Sequence, residues 1–410
     1  MARAIFFSLP LHGHVNPSLP LVRELVRRGD EVVYFGTDRF RAAIEATGAR
    51  FRPYRNAYLA EMAMPPVQPD ELAWLLVRTT DEILEAELEE IRALAPDYLV
   101  TDAVASWGIW CGSILRRPVI SSVSTFAFNR AVVGWAGRSG VRPKSVALFL
   151  SKLKHIGKAA LKVRQLRRRY RVRRPGLLES FFGRGDLNLV YTSRAFQPCE
   201  SAFDDRYQFI GPSIAPRPDE DDLPWTSFRR PLLYISLGTL FNRDASFYRR
   251  CAEAFGGEAL DVVLSVGSNV PLEELGPWPS NFVVRRSVPQ LTVLARAAAF
   301  VSHGGMNSVS ESLSFGVPLV VVPQMGEQEI VGRRVAEVGA GILLLPNQAT
   351  PTALAAAVRR LLTEPQFRRA ATAVGDGFRT CGGSEAGATA IAGLLERSLV
   401  HVDPAGPRSS

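Results

Sequence analysis

No stretch of this sequence approaches the ~20 consecutive apolar residues that a membrane-spanning helix needs. The chain does not open on a charged segment followed by a long apolar run either. It enters a strand at once, at Arg3 to Ser8, so no secretory leader is expected. Cysteine is scarce. Cys111, Cys199, Cys251 and Cys381 lie far apart with no C-x-x-C pair, which argues against a zinc site and a disulfide framework and fits a reducing cytoplasm. No G-x-G-x-x-G follows the first strand, which speaks against a hydride-transferring dinucleotide enzyme. The most local absence is of acid. From Ala103 through Leu178 there is no Asp or Glu, while that stretch holds 17 Lys and Arg; with a net charge of +9 overall, the rest of the chain stands at −8. This is a mildly acidic protein with one basic insert, not a uniformly basic nucleic-acid binder.

The 410 residues, 47% hydrophobic and 22% charged, suit a globular chain of two or three domains. Ala4 to Leu9 reads as a strand and Leu11 to Pro17 as a loop. Pro17 opens a helix that runs to about Arg28 with Leu21, Val22, Leu25 and Val26 on its apolar face, closed by Gly29. Strands near 31–35, 50–52, 97–101, 119–121, 188–191 and 207–210 alternate with helical patterns, including a long one over 70–94. Gly211 to Pro224, rich in proline and charge, reads as a linker. The pattern then restarts, with strands near 232–236, 261–265, 282–284, 298–301, 319–322 and 342–344 and a last helix over 384–399. Alternation of this kind predicts parallel sheets covered by helices on both faces. Two such halves place a ligand at the carboxyl ends of the strands, in the cleft between them. The expected domains are 1–211, a linker at 212–228, 229–400, and a disordered tail at 401–410.

The stretch Phe300-Val-Ser-His303-Gly304-Gly305-Met306-Asn307-Ser308-Val-Ser-Glu311 carries the densest chemistry. A strand, a two-glycine turn and a helix start present unpaired N–H groups and a positive dipole end to a phosphate. His303, Asn307 and Ser308 add side-chain donors, and Glu311, four residues after Asn307, suits ribose hydroxyls. In the first half, Leu11-His12-Gly13-His14 follows the first strand. A histidine there suits a general base, and Asp102, ending the strand at 97–101, suits the carboxylate that orients it. Asp102 could also cap the helix beginning near Ser106. Asp219-Glu-Asp221-Asp222 contains a D-x-D, but it sits in the proline-rich linker and is not read as a metal site.

Taken together, Val288-Pro-Gln290, His303-Gly-Gly-Met-Asn-Ser-x-x-x-Glu311 and Pro323-Gln-Met-Gly-Glu327-Gln328 resemble the donor motif of family 1 glycosyltransferases, most of all the bacterial macrolide-type branch. The likeness runs from about Ala4 to about Leu395 and is weakest between about Arg130 and Gly183. It implies an α/β GT-B architecture, two Rossmann-like domains facing across a cleft, with the C-terminal helix crossing back to the first. Acceptors would bind the first domain and the nucleotide sugar the second. It also implies His14 rather than His12 as the base, with Asp102 behind it. Gly238 and Thr239 would lie at the diphosphate with His303, Gly305, Asn307 and Ser308. Val288, Gln290 and Glu311 would hold base and ribose, and Glu327 and Gln328 the sugar. Plant relatives carry Trp three residues before the Gln; here that residue is Ser287, which leaves thymidine open beside uridine.

The expected activity is inverting transfer of a sugar, glucose first, from UDP or dTDP to a hydroxyl of a polyketide, macrolide or phenolic aglycone. No cofactor, metal or nucleic-acid partner is expected. His12, Trp107, Phe126, Phe128 and Phe149 are candidates for the acceptor pocket, the alternative for most of the aromatic ones being that they are simply core. The insert at 144–174 reads as a helix lying as a lid over that pocket, in preference to a basic amphipathic helix making weak contact with an anionic membrane. Two rivals remain: a catalytically silent nucleotide-sugar-binding or membrane-docking partner, and a lipid or sterol glycosyltransferase at a membrane surface.

Overall fold

The computed structural model describes residues 1–55, 69–137, 146–215, 221–238, 244–267, 270 and 275–400. The chain divides into two units, and the first strand shows how each is built. In β1 (Arg3–Phe7), Ala4 through Phe7 are all sealed from solvent, so the strand is apolar on both faces, as a central strand of a parallel sheet must be. There follow α1 (His12–Arg27), β2 (Glu31–Gly36), α2 (Arg41–Glu45), β3 (Arg50–Pro53), α3 (Pro69–Ala93), β4 (Tyr98–Asp102), α4 (Trp107–Leu115) and β5 (Val119–Val123). Then come α5 (Arg130–Gly137), α6 (Val146–Arg169), α7 (Leu177–Phe182), β6 (Leu187–Val190) and β7 (Tyr207–Phe209). The seven strands pair in parallel in the order β3-β2-β1-β4-β5-β6-β7. Strand order reverses between β1 and β4, and open parallel sheets bind ligands at such a reversal.

The second unit holds β8 (Leu232–Ser236), α8 (Ala245–Phe255), β9 (Asp261–Ser265), β10 (Phe282–Arg285), α9 (Gln290–Leu294), β11 (Ala299–Ser302) and α10 (Met306–Ser314). It continues with β12 (Leu319–Val321), α11 (Gly326–Glu337), β13 (Gly341–Leu343), α12 (Pro351–Thr363) and α13 (Pro365–Arg379). Its six parallel strands run β10-β9-β8-β11-β12-β13, so the reversal falls between β8 and β11. Each reversal is followed directly by expected site residues: His14 and Asp102 in one unit, Gly238 and His303 in the other.

Three features differ from the sequence reading. First, α1 begins at His12, and Pro17 and Pro20 lie inside it. The Leu11 carbonyl accepts from the amides of both His14 and Val15, which fixes the first turn ahead of the prolines. His12 and His14 are therefore helical residues, not loop residues.

Second, the last helix, α14 (Gly383–Val400), is part of the first unit, which comprises Met1–Thr192, Gln197–Ser213 and Cys381–Ser410; the expected crossing-back of this helix holds, and only the expected boundary differs. It packs on α1: Gly387 brings the helix against Leu21, Leu189 and Ile210, and Ala388 and Ile391 join their core. A domain drawn at 229–400 is too long by this helix. The expected tail at 401–410 lies outside the described residues.

Third, Ser193–Phe196 belongs to the second unit with Ile214–Thr380. Arg334 donates to the carbonyls of Phe196 (3.0 Å) and Ala195 (2.7 Å), and the Phe196 ring packs edge-on against Phe378.

Candidate active site

In the first unit the helix start and the end of β4 bring one histidine to one carboxylate. His14 Nδ1 lies 2.8 Å from Asp102 Oδ2. The other oxygen, Oδ1, accepts from the Val104 amide at 2.8 Å. Asp102 is buried (2% exposed), while the His14 side chain keeps 23% of its surface. The Ser124 hydroxyl stands 3.4 Å from the same Nδ1. The buried carboxylate accepts from Nδ1–H, which leaves Nε2 as the basic nitrogen. Asp102 does not cap α4, whose first residue follows Ser106 without a side-chain cap. His12 is placed differently. Arg39 donates to its Nε2 at 2.9 Å and its ring meets Phe40 edge-on. The Nε2 lone pair of His12 is thus spent on a guanidinium, which sets it apart from His14.

In the second unit, β11 ends at Ser302 and α10 begins after Gly305 with no side-chain cap. Gly304 turns the chain at φ +87°, where glycine is favoured. The His303 ring lies between two other glycines. A Cβ on Gly238 would stand 2.6 Å from its Cε1, and one on Gly305 would stand 2.4 Å from its Nε2. His303 as a whole is partly exposed, but Nδ1 is buried and has no partner among the described residues. Burial pushes the imidazole pKa down to about 4, offset in part by a hydrogen bond to the Ser236 carbonyl. At neutral pH this ring is therefore uncharged. Thr239, expected beside it, lies outside the described residues.

That depressed pKa makes stability depend on pH. The unfolded imidazole titrates near 6.5 and the folded one near 4, so the stabilisation is complete above ~6.5 and is lost as pH falls toward 4. The difference amounts to roughly 3 kcal/mol. Denaturant midpoints of wild type and His303→Gln should converge as pH is lowered from 7 to 4.5. Parallel pH profiles for the two would show that the ring is not held neutral.

The ribose candidates form one cluster. Gln290 donates to Glu311 Oε2 at 2.5 Å and its Nε2 is 3.5 Å from Ser308 Oγ, while the Tyr234 hydroxyl donates to Gln290 Oε1 at 3.1 Å. The two ends of the Gln290 amide are thus told apart by their partners. Tyr234 was not legible as a site residue, since in sequence it is one more apolar position of β8, stacked on Phe300 at 4.5 Å. Asn307 and Ser308 are partly exposed in the first turn of α10, and Val288 is buried. Glu327 is exposed, whereas Gln328 is buried and its Oε1 accepts from the Gln324 amide at 2.7 Å.

Comparisons with known proteins address the same chain. Residues 257–380 match the family described as erythromycin biosynthesis protein CIII-like, C-terminal domain. The NDP-glycosyltransferase YjiC of Bacillus licheniformis is 35% identical over 95% of this chain and 96% of its own. The demethyllactenocin mycarosyltransferase of Streptomyces fradiae is 32% identical over 96% of this chain and 87% of its own. The chain belongs to the macrolide-type GT-B glycosyltransferases. Among solved structures, the calicheamicin glycosyltransferase CalG4 superposes with a TM-score of 0.78, at 29% identity, over 97% of this chain and 99% of that one.

The acceptor candidates of this glycosyltransferase separate into wall and core. Trp107 is fully buried among Ile5, Phe7 and Leu99, and its Nε1 donates to the Tyr54 hydroxyl at 3.2 Å. Phe126 is likewise buried, at 1% exposure. Neither ring has surface to offer an acceptor, which corrects the reading of both as pocket wall. Phe128 is partly exposed against the cluster of Val132, Phe203 and Tyr207. The Phe149 side chain lies outside the described residues.

The linker acids of the glycosyltransferase are occupied by protein partners. Asp221 accepts from Trp225 Nε1 at 2.8 Å, and Asp222 pairs with Arg285 at 2.9 Å. Asp219 lies outside the described residues. No helix among those described is long and apolar enough to cross a membrane.

Proposed function

We propose that this enzyme is an inverting transferase. It moves a sugar, glucose in the first instance, from UDP or, second, dTDP to a hydroxyl of a small natural-product aglycone of polyketide, macrolide or phenolic type. The observation that carries the reading is the buried Asp102 holding His14 through Nδ1. His14 Nε2 takes the proton of the acceptor hydroxyl. The acceptor oxygen attacks the anomeric carbon and the bond to the diphosphate breaks, its electron pair leaving on the phosphate oxygen. One displacement on an α-linked donor gives a β-O-glycoside. The charge that develops on the diphosphate meets the uncapped start of α10, the neutral His303 ring, and the Asn307 and Ser308 side chains. Gln290 and Glu311 hold the nucleoside, and Glu327 and Gln328 the sugar. The names of relatives, an NDP-glycosyltransferase and a mycarosyltransferase, support a nucleotide-sugar donor and an antibiotic-like acceptor.

The test is donor turnover with UDP-glucose and dTDP-glucose against a mixed aglycone panel, with the anomeric configuration of the product read by NMR. An α-glycoside would refute inversion. Nucleotide binding without turnover of any donor would make the protein a silent partner. Turnover should also persist in EDTA, because the diphosphate is neutralised by a helix start and side-chain donors. Loss of activity in EDTA, restored by manganese or magnesium, would overturn that part of the reading.

A further inference from the structure

The basic insert folds as α6, and its two faces differ. Ala159, Val163 and Leu166 are buried in one core with residues of α3, including Leu84 and Leu88. Lys162 pairs with Asp81, and Arg169 reaches Asp81 (3.5 Å) and Glu85 (3.0 Å). These contacts fix the second half of the helix to α3, so its apolar face is already covered. A lid over an acceptor would need that face.

The opposite face is open. Leu161 is 62% exposed, with Lys158, Arg164 and Arg168 at i−3, i+3 and i+7, so all four share one side of the helix. Arg167, Arg171 and Arg173 are exposed beside them. Lys158, Arg164, Arg167, Arg168, Arg171 and Arg173 make no ion pair with any described residue, and the sequence offers no acid between Ala103 and Leu178. Facing acids are spent on Lys162 and Arg169, with Glu179 3.7 Å from Arg174.

We infer that this face of α6 docks on an anionic phospholipid bilayer. The cations meet the headgroup phosphates, and Leu161 enters the boundary between headgroups and acyl chains. The exposed Leu161 favours a bilayer over nucleic acid, whose phosphate backbone gives it nothing apolar to bury against. The contact is peripheral and electrostatic, because the helix's main apolar face is used internally. It would bring the protein to apolar acceptors that partition into membranes.

The experiment is co-sedimentation of the full chain with vesicles, which needs no activity and so stands or falls separately from the proposed transferase reaction. With vesicles of equal parts phosphatidylglycerol and phosphatidylcholine, binding is expected at low salt and release at high salt, where screening shortens to well under the ~8 Å of physiological conditions. Pure phosphatidylcholine should bind weakly. Each cation at such a surface contributes roughly fivefold, so Lys158→Glu with Arg164→Glu and Arg168→Glu should weaken partition by at least ~100-fold. These positions leave the Lys162 and Arg169 pairs intact, and unchanged melting would confirm the fold. Leu161→Ser alone should weaken binding several-fold at unchanged salt dependence.

Indifference of the wild type to anionic vesicles would overturn the inference, as would a triple variant that sediments like wild type. Tighter binding to tRNA than to vesicles, insensitive to Leu161→Ser, would assign the face to nucleic acid instead. An altered acceptor KM in the triple variant without vesicle binding would restore the lid.

Discussion

His14→Ala should lower turnover by ~10²–10⁴-fold, the contribution of a positioned general base. The residue it removes is the one whose Nδ1 is held at 2.8 Å by a carboxylate only 2% exposed. No other described group close to that carboxylate can replace it: the Ser124 hydroxyl, 3.4 Å from Nδ1, is no base at neutral pH. The effect should fall on turnover and not on donor affinity, since the proposed donor residues belong to the other unit. Titration with UDP should give the same Kd for variant and wild type. His12→Ala should be far milder, because His12 Nε2 is already bonded by Arg39. A near-normal His14→Ala beside a dead His12→Ala would reverse the assignment by half a helical turn.

Gly304→Ala should be the most damaging small substitution in the donor unit. The residue sits at φ +87°, which costs an alanine ~1–2 kcal/mol. Its Cβ would also stand 2.6 Å from Val321 Cγ1 and 2.9 Å from the Gln328 carbonyl oxygen. Backbone cannot swing aside as a side-chain tip can, so overpacking adds a similar amount. A total of ~2–4 kcal/mol should lower the melting temperature by roughly 5–12 °C for a domain of this size. The same strain would displace His303 and the start of α10, so the donor KM should rise while the His14–Asp102 pair is untouched. A variant that melts within about 1 °C of wild type and keeps its donor KM would show that the turn is not under this constraint.

Much of this was legible in the sequence, and the reason is local. Strands in parallel sheets are short apolar runs, so β8 and β9 fall at 232–236 and 261–265 as read, and β4 and β11 shift by one residue. Glycines at a strand-to-helix turn announce a close approach, and Gly304 and Gly305 mark one whose identity His303 completes. Helices without strong apolar periodicity were less visible. Neither α5 nor α7 carries a distinctive sequence signal, and Pro17 in α1 looks like a beginning although the helix starts five residues earlier.

The chain by itself determined the order of strands and helices, the positions of the two glycine turns, and the placing of His14 and Asp102 just after strands, because these depend on residues close in sequence. Tertiary structure alone decided the rest. Trp107 is core and not pocket because Tyr54, fifty-three residues away, satisfies its indole nitrogen. Arg39 and Asp102 separate two histidines that sit two positions apart. Tyr234 joins the site only because β8 pairs with β11 and lies beside Gln290. The return of the last helix to the first unit is expected, but its seat on Leu21 and Ile210 through Gly387 is not. In each case the deciding partner is far along the chain, and periodicity carries no information at that range.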